Sequence, residues 1–193
     1  MYTNLPHKSK KSQDGISLVE LIMFIVIVSL GIVGILSVMN VTTRASADPM
    51  LRKQAVAIAE SLLEEIELQA FTFCDPDDAG ALTATVAALG AGGCTTNVQN
   101  LGPSPIAETR YADPRFDNVG DYHGFSMVGI RDIQNTLVAG LGGFTANVTM
   151  VQDGATFSLA AAEVLRIDVR VTSGPTDITL TGYRFRYAPR TVP

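Results

Sequence analysis

The chain has 193 residues, a formal net charge of −5 and an apolar share of 47%, of which aromatic residues are a minor part and tryptophan none. This length suits one globular domain with an appendage and disfavours two full domains. The acidic balance disfavours a protein whose main partner is the phosphate backbone of a nucleic acid.

The N-terminal region joins a basic segment to a long apolar one. Residues 21–43 carry no charge, and a helix rising about 1.5 Å per residue over that length can cross a hydrocarbon layer of about 30 Å. Lys8, Lys10 and Lys11 precede this run, whereas Arg44 is the first charge after it. Because basic residues favour the cytoplasmic side, the pattern predicts one membrane-spanning helix with the bulk of the chain facing outward.

The segment KKSQDGISLVELIMF, where the basic part meets the apolar part, resembles the class III signal of type IV prepilins. That signal is a short basic leader ending in Gly, a residue that becomes the new N-terminus, and a Glu at its fifth position. Here these are Gly15, Ile16 and Glu20. The family usually has Phe at the new N-terminus, so Ile16 departs from the pattern while keeping its apolar character.

The resemblance implies a sequence of partners and locations. A prepilin peptidase, which is also a methyltransferase, removes residues 1–15 and N-methylates Ile16. The precursor is a single-pass protein of the inner membrane with a cytoplasmic N-terminus. An inner-membrane assembly platform then moves it from the lipid bilayer into a pilus or pseudopilus, where it contacts other major and minor pilins.

Glu20 is the one charged residue at the start of the apolar helix. A carboxylate in this position is costly unless it is paired or protonated, although a Glu at the headgroup boundary is the simpler interpretation. Cleavage after Gly15 creates an amine on Ile16, four residues before Glu20, and so supplies a cation. The resemblance implies that this pair aligns an incoming subunit with its neighbour, which makes Glu20 the predicted assembly residue.

A second helix is predicted beyond a break at 46–49, with Asp48 as N-cap and Pro49 at the first helical position. Adjacent Glu64 and Glu65 are expected on a solvated face rather than as a catalytic pair. Apolar residues recur at steps of three and four and predict an amphipathic helix that lies on a sheet and ends by Phe71: Leu51, Ala55, Ile58, Leu62 and Ile66.

The stretch DPMLRKQAVAIAESLLEEI, with CDPDD shortly after it, is similar to minor pilins of the mannose-sensitive haemagglutinin pilus, the D-type subunit in particular. This implies an α+β, pilin-like fold, in which a long N-terminal hydrophobic helix continues into an amphipathic helix packed on a C-terminal antiparallel β-sheet. The predicted organisation is a leader at 1–15, a membrane and filament-core helix at 16–45, and an external globular domain at 46–193.

Cys74 and Cys94 are the only cysteines, and in an exported, oxidising compartment they predict one disulfide whose loop contributes about 3 kcal/mol. The only two histidines lie far apart, which disfavours zinc. Calcium binding by Asp75, Asp77 and Asp78 stays open, but Pro76 and the missing distal Glu match known loops poorly, so no metal or cofactor is predicted.

Residues 95–143 predict a long irregular crossing with one short strand near 124–130. The segment DYHGF at 121–125 is similar to a stretch of minor pilins. Asp121 and His123 could form a catalytic dyad, but no nucleophile motif accompanies them, so we predict that the chain is not an enzyme.

Two segments alternate apolar and polar residues and predict half-buried strands, 144–150 and 165–171, and SGPTD at 173–177 predicts a hairpin turn. In the last strand the apolar parity changes between Leu180 and Tyr183, which predicts a β-bulge at Thr181/Gly182. Five arginines are expected on one basic outer face: Arg166, Arg170, Arg184, Arg186 and Arg190.

That arginine row suggests DNA binding, but loss of residues 1–15 leaves 11 basic and 18 acidic side chains, a formal charge of −7. Cross-strand pairing with Asp168 and Asp177, or contact with an acidic neighbouring subunit, is therefore the preferred interpretation. The predicted function is that of a minor pilin of a type IV pilus for adhesion or motility. Two alternatives stay open: a minor pseudopilin of the I type in type II secretion, and a membrane-anchored enzyme or binding protein whose signal match is accidental.

Overall fold

The apolar N-terminal run is helical in the computed structural model, which describes residue 15 and residues 17–186, without the side chains of 41–48. Helix α1 is Leu18–Glu67. The strands are β1 (Ser126–Val128), β2 (Thr145–Gln152), β3 (Val164–Ser173) and β4 (Thr176–Phe185). The chain is thus α+β, and it divides into two compact units between Ala47 and Asp48.

The helix continues through Pro49, so the predicted break at 46–49 is wrong. Proline fixes φ near the helical value and removes one backbone hydrogen bond, a cost of about 3 kcal/mol that a helix of 50 residues can bear. The change of compact unit still falls within this short segment.

In the first unit, Leu18–Asn40 is long and apolar enough, by length and composition, to cross a membrane. Its large apolar side chains are exposed, which is unfavourable in water over so long a stretch. Residues 1–14 of the predicted leader, and Ile16, lie outside the described residues.

In the second unit, α1 supplies one apolar face and the sheet another. The four strands are antiparallel to their neighbours in the order β1-β2-β3-β4. The predicted helix face is confirmed, with Leu51 partly buried and its other members buried. The predicted alternation in the sheet is confirmed as well, since Phe144, just before β2, and the inward residues of β2 and β3 belong to the same core: Ala146, Val148, Met150, Leu165, Ile167, Val169 and Val171.

Strand β4 is regular, so the predicted bulge at Thr181/Gly182 is wrong. The β3–β4 ladder runs without interruption from Val164↔Phe185 to Ser173↔Thr176 and places Gly182 opposite Ile167, on the helix side. A Cβ at Gly182 would overlap Glu67 Oε1 and lie 2.9 Å from Leu63 Cδ1, so glycine fits here because α1 side chains occupy that space.

The aromatic residues that suggested a change of parity lie on the outer face. Phe157, in a 3₁₀ helix at Gly154–Phe157, packs edge-on against Tyr183 and Phe185 at centroid distances of 5.3 and 5.0 Å. An outer cluster of three rings therefore accounts for the pattern without a bulge.

The predicted basic face is also corrected. Arg170 pairs across strands with Asp177, as expected, whereas Arg166 pairs with Asp168 of its own strand. Arg184 shares the helix side of β4 with Gly182 and donates to the Gln69 carbonyl at 3.4 Å. Arg186 stacks over the rings of Phe71 and Phe73 at 3.9 and 4.0 Å. Arg190 lies outside the described residues.

Candidate functional site

Two of the three predicted processing and assembly residues are described. Gly15 and Glu20 are exposed, and Glu20 lies in the first turn of α1. The backbone N–H of Leu21 donates to the carbonyl of Ser17 at 3.1 Å, so this end of the helix is formed. The exposed carboxylate of Glu20 is therefore accessible to a cationic partner from outside the described residues.

Cys74 and Cys94 are brought together, with a Cα–Cα distance of 5.4 Å and their sulfur atoms at bonding distance. Both are buried and pack with Ala81 in a small cluster of their own. This geometry fits the predicted disulfide, which joins the segment after α1 to the start of the irregular crossing.

The three aspartates that follow Cys74 have different roles. Asp77 is exposed, whereas Asp78 is buried and its carboxylate accepts five hydrogen bonds, from Gly80 and from the 95–97 segment. These donors hold the pKa of Asp78 far below its usual range. Asp78 therefore serves as a loop anchor, and the three carboxylates do not converge on one site.

Asp75 instead belongs to a cluster with Glu108 and Asp117. Each offers one carboxylate oxygen, and no two of these atoms are more than 4.8 Å apart. Asp75 is 1% exposed and Glu108 4% exposed, while Asp117 is half-buried. Within the described parts of the chain, none of the three forms an ion pair.

Three parts of the irregular segment between α1 and Val119 bring these residues together. Asp75 follows the disulfide, and its N–H donates to the Asn97 carbonyl at 3.2 Å. Glu108 lies in a turn, in which its own backbone N–H donates to the Pro105 carbonyl at 3.0 Å. Asp117 immediately precedes Asn118, the N-cap of the 3₁₀ helix Val119–Tyr122.

The carboxylates of this cluster are electrostatically unfavourable without a cation or protons. Burial, reinforced by neighbouring carboxylates, raises the pKa of Glu108 to about 8 and that of Asp117 to about 6. Burial also raises the pKa of Asp75, against the hydrogen bond from the Asp77 N–H. Oxygen atoms alone line the cluster, so it suits a proton or a hard cation.

Asp121 and His123 each have hydrogen-bond partners other than one another among the described residues. The buried Asp121 carboxylate accepts hydrogen bonds from Gln99 Nε2 and from three backbone N–H groups, those of residues 104, 117 and 118. His123 Nδ1 accepts a hydrogen bond from the Met150 N–H at 3.0 Å. Both side chains therefore brace the fold.

Glu65 is partly buried, so its predicted position on a solvated face is wrong. Arg110 binds it through two parallel bonds of 2.7 Å, and the Tyr122 hydroxyl donates to Glu65 Oε1 at 2.9 Å. Arg110 is 9% exposed. This network ties the irregular crossing to α1.

Sequence reasoning missed Glu108 and Asp117 because no local spacing signals them. They lie in the irregular crossing, and their closeness to Asp75 depends on three loops and a disulfide. An isolated Glu or Asp in a turn-rich segment carries no ligand signature.

Comparison of the chain with protein-family models, with curated proteins and with solved structures found no significant match. Its function therefore has to be inferred from its own residues.

Proposed function

We propose that this chain is a minor pilin of a type IV pilus resembling the mannose-sensitive haemagglutinin pilus. The observation that carries the proposal is the order of residues at the N-terminus: a basic leader, Gly15, Ile16 and Glu20 lead directly into an exposed apolar helix segment, Leu18–Asn40. An ordinary secretory signal has its cleavage site after the apolar stretch instead.

The exposed segment supports a role in assembly. Its apolar side chains must be covered either by lipid or by other apolar helices. A filament of like subunits supplies such helices, so one surface serves first as a membrane anchor and then as a filament core. The peptidase, the assembly platform and the neighbouring pilins are the partners that this pathway requires.

The second unit supports a structural role outside the cytoplasm. The part of α1 that belongs to this unit packs on an antiparallel sheet, which is the arrangement that the resemblance to pilins implies. The cysteine pair suits the periplasm and the cell surface, where disulfides persist. The two residues considered for catalysis are both held in hydrogen bonds that brace loops and strands.

The N-terminus of the assembled protein tests the proposal. Surface filaments are sheared from cells that express the chain, and intact-mass and N-terminal analysis should find a polypeptide that begins at N-methyl-Ile16. Gly15→Leu should leave the leader attached, because the peptidase must accept the residue before the cut. Gly34→Ala, in the apolar run, is the matched control and should be processed normally.

Other outcomes would change the conclusion. Retention of Met1 in the wild type, or cleavage beyond residue 40, contradicts the prepilin assignment. Recovery of the processed chain with secretion complexes but never in sheared filaments would replace the minor pilin with a type II secretion pseudopilin of the I type.

A further inference from the structure

We propose that Asp75, Glu108 and Asp117 form a calcium-binding site in the second unit. Their three ligand oxygens converge within 4.8 Å from three parts of the irregular segment between α1 and Val119, and two of the three side chains are more than nine-tenths buried. Burying like charges this close together is costly, so a fold that maintains the arrangement needs something positive in it.

Two buried carboxylate oxygens without a hydrogen-bond donor lie where that positive group would bind. Glu108 Oε2 and Asp117 Oδ1 are buried and accept no hydrogen bond from the described residues. The neighbouring carboxylates of Asp78 and Asp121 are instead supplied with several donors each. Glu108 also lies within hydrogen-bonding reach of the Asp121 carboxylate, and two acids can share such a position only through a proton or a cation. The two oxygens without a donor therefore mark a place that a cation can occupy in competition with a proton.

The donor chemistry selects a hard cation. The cluster offers carboxylate oxygens and neither imidazole nor thiolate, a set that suits calcium, magnesium or manganese rather than zinc. Calcium–oxygen distances of about 2.3–2.6 Å allow ligand atoms across the shell to be roughly 4.6–5.2 Å apart. Oxygens that are no more than 4.8 Å apart can be bridged by one calcium ion after a small inward movement of the side chains, and water or backbone carbonyls can fill its other positions.

Bound calcium would stabilise the irregular crossing. It would fasten the segment after Cys74, the turn at Glu108 and the entry to the Val119–Tyr122 helix to one another. If the chain works outside the cytoplasm as proposed above, calcium is present at about millimolar levels, and extracellular sites bind with Kd values of about 10⁻⁴–10⁻³ M. The site itself depends only on the second unit's own geometry.

Calorimetry and thermal unfolding of the full chain in non-ionic detergent test the site. After removal of metals with EDTA at pH 7.5, CaCl₂ should bind with one-to-one stoichiometry and raise the Tm by several degrees. MgCl₂ should bind at least tenfold more weakly. Glu108→Gln should weaken calcium binding at least tenfold and remove the Tm shift. Glu64→Gln makes the same charge change on an exposed helix position and should bind calcium like the wild type.

A comparison in EDTA separates loss of the ligand from loss of the fold. Without calcium, Glu108→Gln should unfold at a temperature no lower than the wild type, since it removes one of the crowded carboxylates. If it fails to unfold cooperatively, Asp117→Asn carries the same expectation at a half-buried position. The proposal is overturned if the wild type binds no calcium at 10 mM, if magnesium binds equally well, or if the cooperatively folding variant keeps wild-type affinity.

Discussion

Buried carboxylates in this protein differ according to the donors around them. Asp78 faces a series of backbone N–H groups, which stabilise its charged form. Glu108 is buried beside Asp75, Asp117 and Asp121, and these surroundings favour its neutral form when no cation is bound. The local supply of N–H groups, rather than residue type, thus decides whether a carboxylate anchors a loop or awaits a ligand.

The state of Glu108 predicts how the metal-free protein responds to pH. Burial beside other carboxylates raises its folded-state pKa from the ordinary 4.5 to about 8, so between these values the folded state binds more protons than the unfolded state. Stability should therefore fall as pH rises from about 5 through 8 in EDTA. Thermal unfolding at several pH values checks this, and Glu108→Gln should flatten the trend. A rise in Tm over that range would contradict the protonated state.

Regular elements were predictable wherever one periodicity held over several residues. The inward faces of α1, β2 and β3 follow directly from the spacing of apolar residues. In β4 the aromatic side chains form a second, outer cluster with Phe157, so an apolar residue no longer marks the buried face. Pro49 suggested a break because its local preference is strong, but the helix continues through it.

The carboxylate cluster and the Arg110 network could not be predicted for a different reason. Both join residues far apart in sequence across irregular loops, where neither spacing nor parity restricts the path of the chain. Glu65 illustrates this, since its sequence context indicates a solvated helix face. Arg110, 45 residues later in the sequence, forms an ion pair with it.

At the scale of elements, the bidentate ion pair between Arg110 and Glu65 attaches the irregular crossing to α1. Arg110→Met should lower the free energy of unfolding by about 3–5 kcal/mol, because Glu65 would remain partly buried without its cation. Urea unfolding measures the loss. Arg52→Met, at an exposed site on the same helix, should cost under about 0.5 kcal/mol.

A double variant distinguishes the ion pair from simple packing. Adding Glu65→Leu to Arg110→Met removes the uncompensated charge and should recover part of the lost stability. Equal stability of Arg110→Met and the wild type would show that the Arg110–Glu65 ion pair does not hold the irregular crossing on α1.

At the scale of the whole molecule, one chain carries two very different surfaces. The Leu18–Asn40 segment exposes aliphatic side chains, whereas the second unit buries an apolar core and exposes charged residues such as Arg52 and Glu60. The first surface is suited to lipid or to other helices, and the second to water. A subunit that moves from a membrane to a filament needs both.

Glu20 should act in this transfer rather than in folding. The amine that the proposed cleavage creates on Ile16 lies four residues away in sequence, and in the bilayer both groups can reach headgroups and water. Among the apolar helices of neighbouring subunits little water remains, so an unpaired amine would cost several kcal/mol. Glu20→Ala should therefore leave membrane insertion, cleavage after Gly15 and the external fold intact, yet reduce incorporation at least tenfold. The measurement is the ratio of variant to wild type in sheared filaments at equal membrane pools. Glu60→Ala, at an exposed helix position in the second unit, is the control and should assemble normally. Equal incorporation of Glu20→Ala would make Glu20 a boundary residue only.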